Sequence, residues 1–146
     1  YLKIKRIPIL ETIDTIIPYL ALAQAIGRIG CFLNGCCFGK PSIWGIHFPV
    51  HQEYLIPTQI YSSLALIVIF LILRFLQNRV HKIGDILYVY FILYAVKRFV
   101  MEYFRGDIES AFLGLTVFQV FSLALFILGI ALLVFNQIRC RNLSLK

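Results

Sequence analysis

Residues 27–41, G-R-I-G-C-F-L-N-G-C-C-F-G-K-P, bring together an arginine, an asparagine, three cysteines, four glycines and a lysine between apolar segments. A guanidinium stays charged and grips phosphate bidentately. A deprotonated thiol is a nucleophile, and glycines allow tight backbone and close approach of a ligand. Further along, Tyr94, Arg98, Glu102 and Arg105 stand at i, i+4, i+8 and i+11, so they share one stripe of a helix. Arg28 can meet that stripe at similar depth, and together they read as a cradle for an anionic lipid headgroup. On charge pattern alone a second reading stays open: Arg98 and Glu102 form an internal ion pair, while Arg28 and Arg105 snorkel to the interface.

The elements that must position these residues follow from composition. Of 146 residues, 60% are hydrophobic and 14% charged, where soluble domains carry about 25% charged residues. Residues 55–73 and 110–138 contain no charged side chain, and each stretch reaches the roughly 20 residues that cross a bilayer. The fold expected is all-α: a polytopic membrane helical bundle, a single membrane domain over residues 1–146, with about four spans. These fall near 9–28 (bent or broken at Pro18), 58–76, 83–103 and 115–138. A Gly/Cys-rich outer-face loop follows the first span and continues through Trp44, His47, His51 and Glu53 to Pro57. Polar groups at membrane depth are costly unless they line a protected cavity, which makes the 27–41 cluster a site by default.

Charge orients the spans. Lys3, Lys5 and Arg6, then Arg74, Arg79 and Lys82, then Arg139, Arg141 and Lys146 fall on one side of four alternating crossings, which the positive-inside rule makes cytoplasmic. The net charge of +7 is therefore topological, and nucleic acid is not an expected partner. Arg28, Lys40, Lys97, Arg98 and Arg105 are the exceptions, placed at or near the opposite ends.

Cys31 and Cys36 are five apart with Cys37 adjacent, which is neither C-x-x-C nor a tetrahedral zinc spacing. Packing between helices, or a disulfide on an oxidising outer face, ranks above metal, and no metal is expected. Cys140 reads as an ordinary free thiol near the inner surface. Asp14 either receives a hydrogen bond from a neighbouring helix or pairs with a site cation, the second being preferred. Tyr88, Tyr90, Tyr94 and Tyr103 line the lipid cavity or serve as interface anchors and packing, and Trp44 sits at the outer interface. Because the chain opens on Tyr1 and a basic segment, a fragment or a processed product is expected.

The blocks A-I-G-R-I-G-C-F-L-N-G-C-C-F-G-K-P, I-P-T-Q-I-Y, Y-A-V-K-R-F-V-M-E-Y-F-R-G-D and F-Q-V-F-S, in this order and spacing, resemble the prolipoprotein diacylglyceryl transferase family. The resemblance implies a bacterial cytoplasmic (inner) membrane enzyme with its active site toward the extracytoplasmic side. Such an enzyme moves a diacylglyceryl group from phosphatidylglycerol to the lipobox cysteine thiol of a prolipoprotein, without metal or organic cofactor. It assigns catalytic roles to Arg28 and Arg98. It assigns substrate binding to Asn34, Gly39, Gln59, Tyr61, Glu102 and Arg105, and it brings membrane lipids and the lipobox peptide as partners. Cys31 and Cys36 stand where the family signature has an asparagine and a glutamate, and the family's upstream H-G-G segment has no counterpart in these residues. His47 and His51 are then substitute candidates for the general base. Two other readings remain open: a membrane thiol-disulfide protein using Cys31, Cys36 and Cys37, and a non-catalytic phospholipid-binding family member.

Overall fold

The computed structural model describes residues 8–48, 52–79, 81–105 and 115–144. Lys3, Lys5, Arg6, His51 and Lys146 lie outside the described residues, as does the side chain of Cys140. Four helices make up most of the described residues: α1 (Ile9–Leu33), α2 (Thr58–Gln77), α3 (Asp85–Phe104) and α4 (Val117–Ser144). Between α1 and α2 lies an antiparallel pair, β1 (Pro41–Phe48) and β2 (Glu53–Leu55), in which His47 faces Tyr54 and Phe48 faces Glu53. The expected all-α bundle thus holds for the membrane part, with a small hairpin in place of a structureless outer connection.

Among the described residues, three helices are long and apolar enough to cross a membrane: Ile9–Leu33, Thr58–Gln77 and Val117–Arg139, with mean hydropathies of 1.6, 2.1 and 2.7. The fourth expected span, α3, equals α2 at 20 residues, but it carries Asp85, Lys97, Arg98 and Glu102. Two of these, Lys97 and Glu102, are buried, so α3 turns its charge into the protein. It packs against α1, α2 and α4. Large side chains on the outer surface, such as Leu64, Leu71, Phe75, Phe121 and Phe135, are more than half exposed. Such a surface suits contact with acyl chains.

Proline 18 neither breaks nor ends α1. Proline lacks the N–H that would bond the carbonyl four residues back, here that of Asp14. Gln77 of α2 supplies the missing donor, its Nε2 bonding the Asp14 carbonyl at 2.8 Å. Arg74 Nη1 in turn donates to Gln77 Oε1 at 2.7 Å. Helix α1 also runs past the expected end at Arg28 to Leu33, because Gly27 and Gly30 sit within it as ordinary helical positions where a methyl group would meet nothing within 4 Å. The turn starts only at Asn34, and Gly35, at φ 68°, takes the left-handed conformation that closes many helices.

Helices α1 and α2 are antiparallel and close. Ala21 and Ala25 are buried at their contact, and Ser63 Oγ donates to the Ala25 carbonyl at 2.9 Å. Small residues allow this approach, and the hydroxyl adds a bond that lipid cannot offer. Leu66, Ile69, Leu73, Ile86 and Tyr90 complete the core.

Asp14 is buried and accepts hydrogen bonds from the backbone N–H groups of Gly84 and of Leu87, the latter at 3.0 Å. It therefore caps the N-terminus of α3 from another helix, where a carboxylate also meets the positive end of the helix dipole. Of the two readings of Asp14, the hydrogen bond from a neighbouring helix holds; pairing with a site cation does not, since the site lies at the other end of the bundle. Asn136 Nδ2 of α4 bonds Asp85 Oδ1 at 2.9 Å and Lys82 Nζ bonds the Gln137 carbonyl at 3.3 Å. The N-termini of α1 and α3 and the C-termini of α2 and α4 thus share one end, where Arg74, Arg79, Lys82, Arg139 and Arg141 cluster as alternating crossings require.

Candidate functional site

At the opposite end, the last turns of α1 and α3 meet the first turn of α2. There Arg28, Cys37, Thr58, Gln59, Ser62, Lys97, Arg98, Met101 and Arg105 line a narrow, tightly closed recess of ≈ 10 Å³. Four cations converge, and no carboxylate is among the described lining residues. Arg28 meets Arg98 and Arg105 as expected, but Arg105 does so from the extended residue that follows α3, and Tyr94 and Glu102 of the expected stripe do not line the recess. Lys97, which sequence reasoning noted only as a misplaced cation, joins them although it is 7% exposed. Sequence position gave no sign of this, since a residue adjacent to Arg98 sits about 100° round the helix from it.

Arg98 is held on two sides. Its Nη2 lies 3.2 Å from Glu102 Oε2, one helical turn on, and its guanidinium stacks 4.5 Å above the Phe118 ring of α4. Thr116 Oγ1 donates to Glu102 Oε1 at 3.0 Å, which holds the carboxylate that holds the arginine. The internal ion pair is therefore real, and it serves to aim Arg98 rather than to neutralise the whole recess. Lys97 Nζ sits 5.4 Å from the Tyr94 ring, which offers a buried ammonium its negative face.

Residues 34–40 wrap the mouth of the recess and are pinned to α2. Thr58 Oγ1 donates to the Cys37 carbonyl at 2.8 Å, and Gln59 Nε2 donates to the Cys36 carbonyl at 2.6 Å. Gln59 Oε1 is buried without a hydrogen-bond partner among the described residues, and it belongs to a residue lining the recess. An acceptor so placed is costly unless something donates to it. Gly39 forms an antiparallel bridge with Arg105, and Lys40 N–H bonds the Phe104 carbonyl at 3.0 Å. A Cβ on Gly39 would stand 2.6 Å from the Phe104 carbonyl oxygen and 2.7 Å from Thr58 Cγ2. Glycine is required there because three segments cross at that point, and Gly39 acts through backbone rather than by lining the recess.

Other expected site residues fall elsewhere. Asn34 caps α1, is exposed and does not line the recess. Tyr61 is 45% exposed on the outer side of α2 and does not line the recess. His47 packs edge-on against Tyr54 in the hairpin, ring centroids 5.3 Å apart, and is not among the lining residues. Among the tyrosines, Tyr90 is buried with its hydroxyl on Gln24 Oε1 at 3.1 Å, a packing role. Trp44 is 86% exposed on the hairpin, as an interface residue would be.

Cys31, Cys36 and Cys37 stand as free thiols, and their sulfur atoms all lie within 4.8 Å of one another. Cys31 belongs to the last turn of α1, and the turn folds the other two back over it. Cys37 is held at φ 62°, a left-handed conformation costly for a residue with a side chain. Burial works to raise the Cys36 thiol, but hydrogen bonds with Asn34, Cys37 and Cys31 outweigh it and leave it below the ordinary range. Cys37 is pushed up, first by burial and then by Cys36 and Cys31, against the pull of Arg105.

Fold and site together define an α-helical membrane protein whose helix ends enclose a recess lined by four cations. The family model of prolipoprotein diacylglyceryl transferase matches residues 1–135, so the chain belongs to that family. It is 38% identical to the phosphatidylglycerol–prolipoprotein diacylglyceryl transferase of Clostridium tetani, over 97% of this chain and 59% of the relative. Against enzyme 2 of that name from Clostridium perfringens the identity is 37%, over 92% and 55%. Against the protein of Trichormus variabilis it is 34%, over 98% and 56%. The chain thus spans under two thirds of the length of these relatives.

Proposed function

We propose that this chain forms the headgroup-holding part of an enzyme that transfers a diacylglyceryl group from phosphatidylglycerol to the lipobox cysteine thiol of prolipoproteins. The observation that carries this reading is the convergence of Arg28, Lys97, Arg98 and Arg105 on one recess, away from the basic end of the bundle. Four cations held together repel one another, and a phosphodiester offsets that cost. The names of the relatives, which carry both phosphatidylglycerol and prolipoprotein, support the same substrates. The basic clusters at the other end support a bacterial cytoplasmic membrane location with the recess on the extracytoplasmic side.

The reaction substitutes sulfur for oxygen at a glycerol carbon. The thiolate sulfur forms the C–S bond, the C–O bond to phosphate breaks, and glycerol phosphate leaves with the electron pair. Arg28 and Arg98 bind the phosphate and stabilise the charge that grows on it as the bond breaks. Glu102 keeps the Arg98 fork aimed, Arg105 and Lys97 add field, and Gln59 Oε1 accepts from a headgroup hydroxyl. Asn34 and Gly39 act by shaping the loop, and Tyr61 contacts lipid at the rim.

Arg28→Ala and Arg98→Ala are each expected to abolish transfer to a lipobox peptide in phosphatidylglycerol vesicles while membrane insertion is unchanged. Normal modification of the peptide by both variants refutes the reading.

A further inference from the structure

We infer that Cys31, Cys36 and Cys37 form a three-thiolate site for a thiophilic d10 cation of the zinc class, beside the recess that Cys37 lines. The linear spacing hides this set, because only the turn makes it. Gly35 and Cys37, both with positive φ, fold the chain back so that two adjacent cysteines meet a third in the preceding helical turn. The Thr58 and Gln59 side chains hold the turn in that strained shape through the Cys37 and Cys36 carbonyls. A zinc–sulfur bond of about 2.3 Å in tetrahedral geometry sets sulfurs about 3.8 Å apart. The three sulfurs, within 4.8 Å of one another, need move only slightly to enclose an ion. All three residues are partly exposed, so an ion can reach them. No described histidine or carboxylate joins the set, so three protein ligands leave a position free, as catalytic zinc sites do.

The position of the set gives it a task, which rests on the transfer reading above. Cys37 lines the same recess as Arg28, Arg98 and Arg105. Three thiolates and a divalent cation carry net negative charge, which these guanidiniums offset. A thiol that binds at the fourth position loses its proton to water, because a coordinating thiol is deprotonated outright. The lipobox thiol would then arrive as thiolate beside the carbon whose phosphate the arginines hold. Its sulfur forms the C–S bond with the lone pair it carried, glycerol phosphate departs, and the thioether product, a weaker ligand, releases the ion for another cycle.

The test uses the full membrane protein, purified in detergent under reducing, anaerobic conditions and titrated with Zn(II), with Cd(II) as an optical reporter. The expected result is one ion per chain, with thiolate-to-Cd(II) charge-transfer absorption. Affinity should fall at least roughly 100-fold in each of Cys31→Ser, Cys36→Ser and Cys37→Ser, and stay unchanged in Cys140→Ser. In the unsubstituted protein, Zn(II) should shield these three thiols from alkylation, read by mass spectrometry, which needs no variant to fold. Binding indifferent to the three substitutions, absence of shielding, or a disulfide in protein isolated without reductant overturns the site. Chelator-treated protein should still bind phosphatidylglycerol vesicles but lose transfer, and Zn(II) should restore it. Full transfer after chelation overturns the thiol-delivery role and leaves the arginine reading intact, whereas the arginine reading fails on Arg28→Ala and Arg98→Ala alone.

Discussion

The two ends of the bundle handle buried polarity in opposite ways. At the basic end, Asp14 takes two backbone N–H groups of α3, and Gln77 replaces the bond that Pro18 cannot make. Asn136 ties Asp85 to α4. These bonds close on one another and fix the helices. At the recess end, Arg28, Lys97, Arg98 and Arg105 crowd together, and Gln59 Oε1 is buried with no hydrogen-bond partner among the described residues. A buried polar group left without a partner costs about 1–3 kcal/mol. The difference separates polar groups closed by their own bonds from a buried acceptor, Gln59 Oε1, left open beside a cluster of cations.

Paired substitutions test that contrast most sharply. Arg98→Ala should lower lipid transfer by about 100-fold or more, the loss typical when one preorganised charge-stabilising donor is removed. Arg74→Ala, at the other end, should leave transfer per folded molecule unchanged. Equal losses in the two variants, measured by transfer to a lipobox peptide, would erase the distinction.

Asp14→Ala should do the reverse. It strips the cap from α3 and leaves two N–H groups short of a partner, a loss of about 2 kcal/mol. Thermal unfolding in detergent should show a lowered midpoint, while the fraction that stays folded binds phosphatidylglycerol normally. A lowered lipid affinity in that folded fraction would tie the two ends together.

Gln59→Ala belongs to both categories and should show a smaller, mixed effect. Losing the bond to the Cys36 carbonyl costs about 1 kcal/mol of stability. Hydrogen exchange of residues 34–40 should rise, and headgroup affinity should weaken as the buried acceptor disappears. Unchanged exchange in that loop would show that Thr58 holds the turn alone.

The smallest effect concerns the two adjacent thiols in chelator-treated protein. Cys36 lies below the ordinary thiol range and Cys37 above it. As pH rises, Cys36 reaches thiolate first, so iodoacetamide should label it faster than Cys37 near neutrality. The preference should shrink once pH exceeds both values and both are thiolate. Mass spectrometry of a pH series reads this directly, and faster labelling of Cys37 at neutral pH would reverse the assignment.

Much of this was legible in the chain. Charge-free runs mark membrane helices because bilayer thickness fixes their length. The placing of Tyr94, Arg98 and Glu102 on one stripe follows from helical period alone, whereas Arg105, expected on the same stripe, lies past the end of α3 in extended backbone bridged to Gly39. Gly39 could be singled out by resemblance, though not the crossing of three segments that requires it. Tyr61 and Asn34 shared motifs with recess residues yet lie outside it, since a motif fixes position along the chain and not the direction of a side chain. The hairpin Pro41–Phe48 with Glu53–Leu55 was missed because its strands are short and lack clean alternation.

The sequence by itself determined the helical membrane class, the alternation of basic ends and the identity of the arginines, because these depend on composition and on periods within one segment. Tertiary structure alone decided three things: that Asp14 caps a helix begun 70 residues later, that Lys97 joins the arginines, and that three thiols meet. Each depends on where separate segments come to rest, which is set by the packing of α1, α2 and α3 and by a turn held in a left-handed conformation.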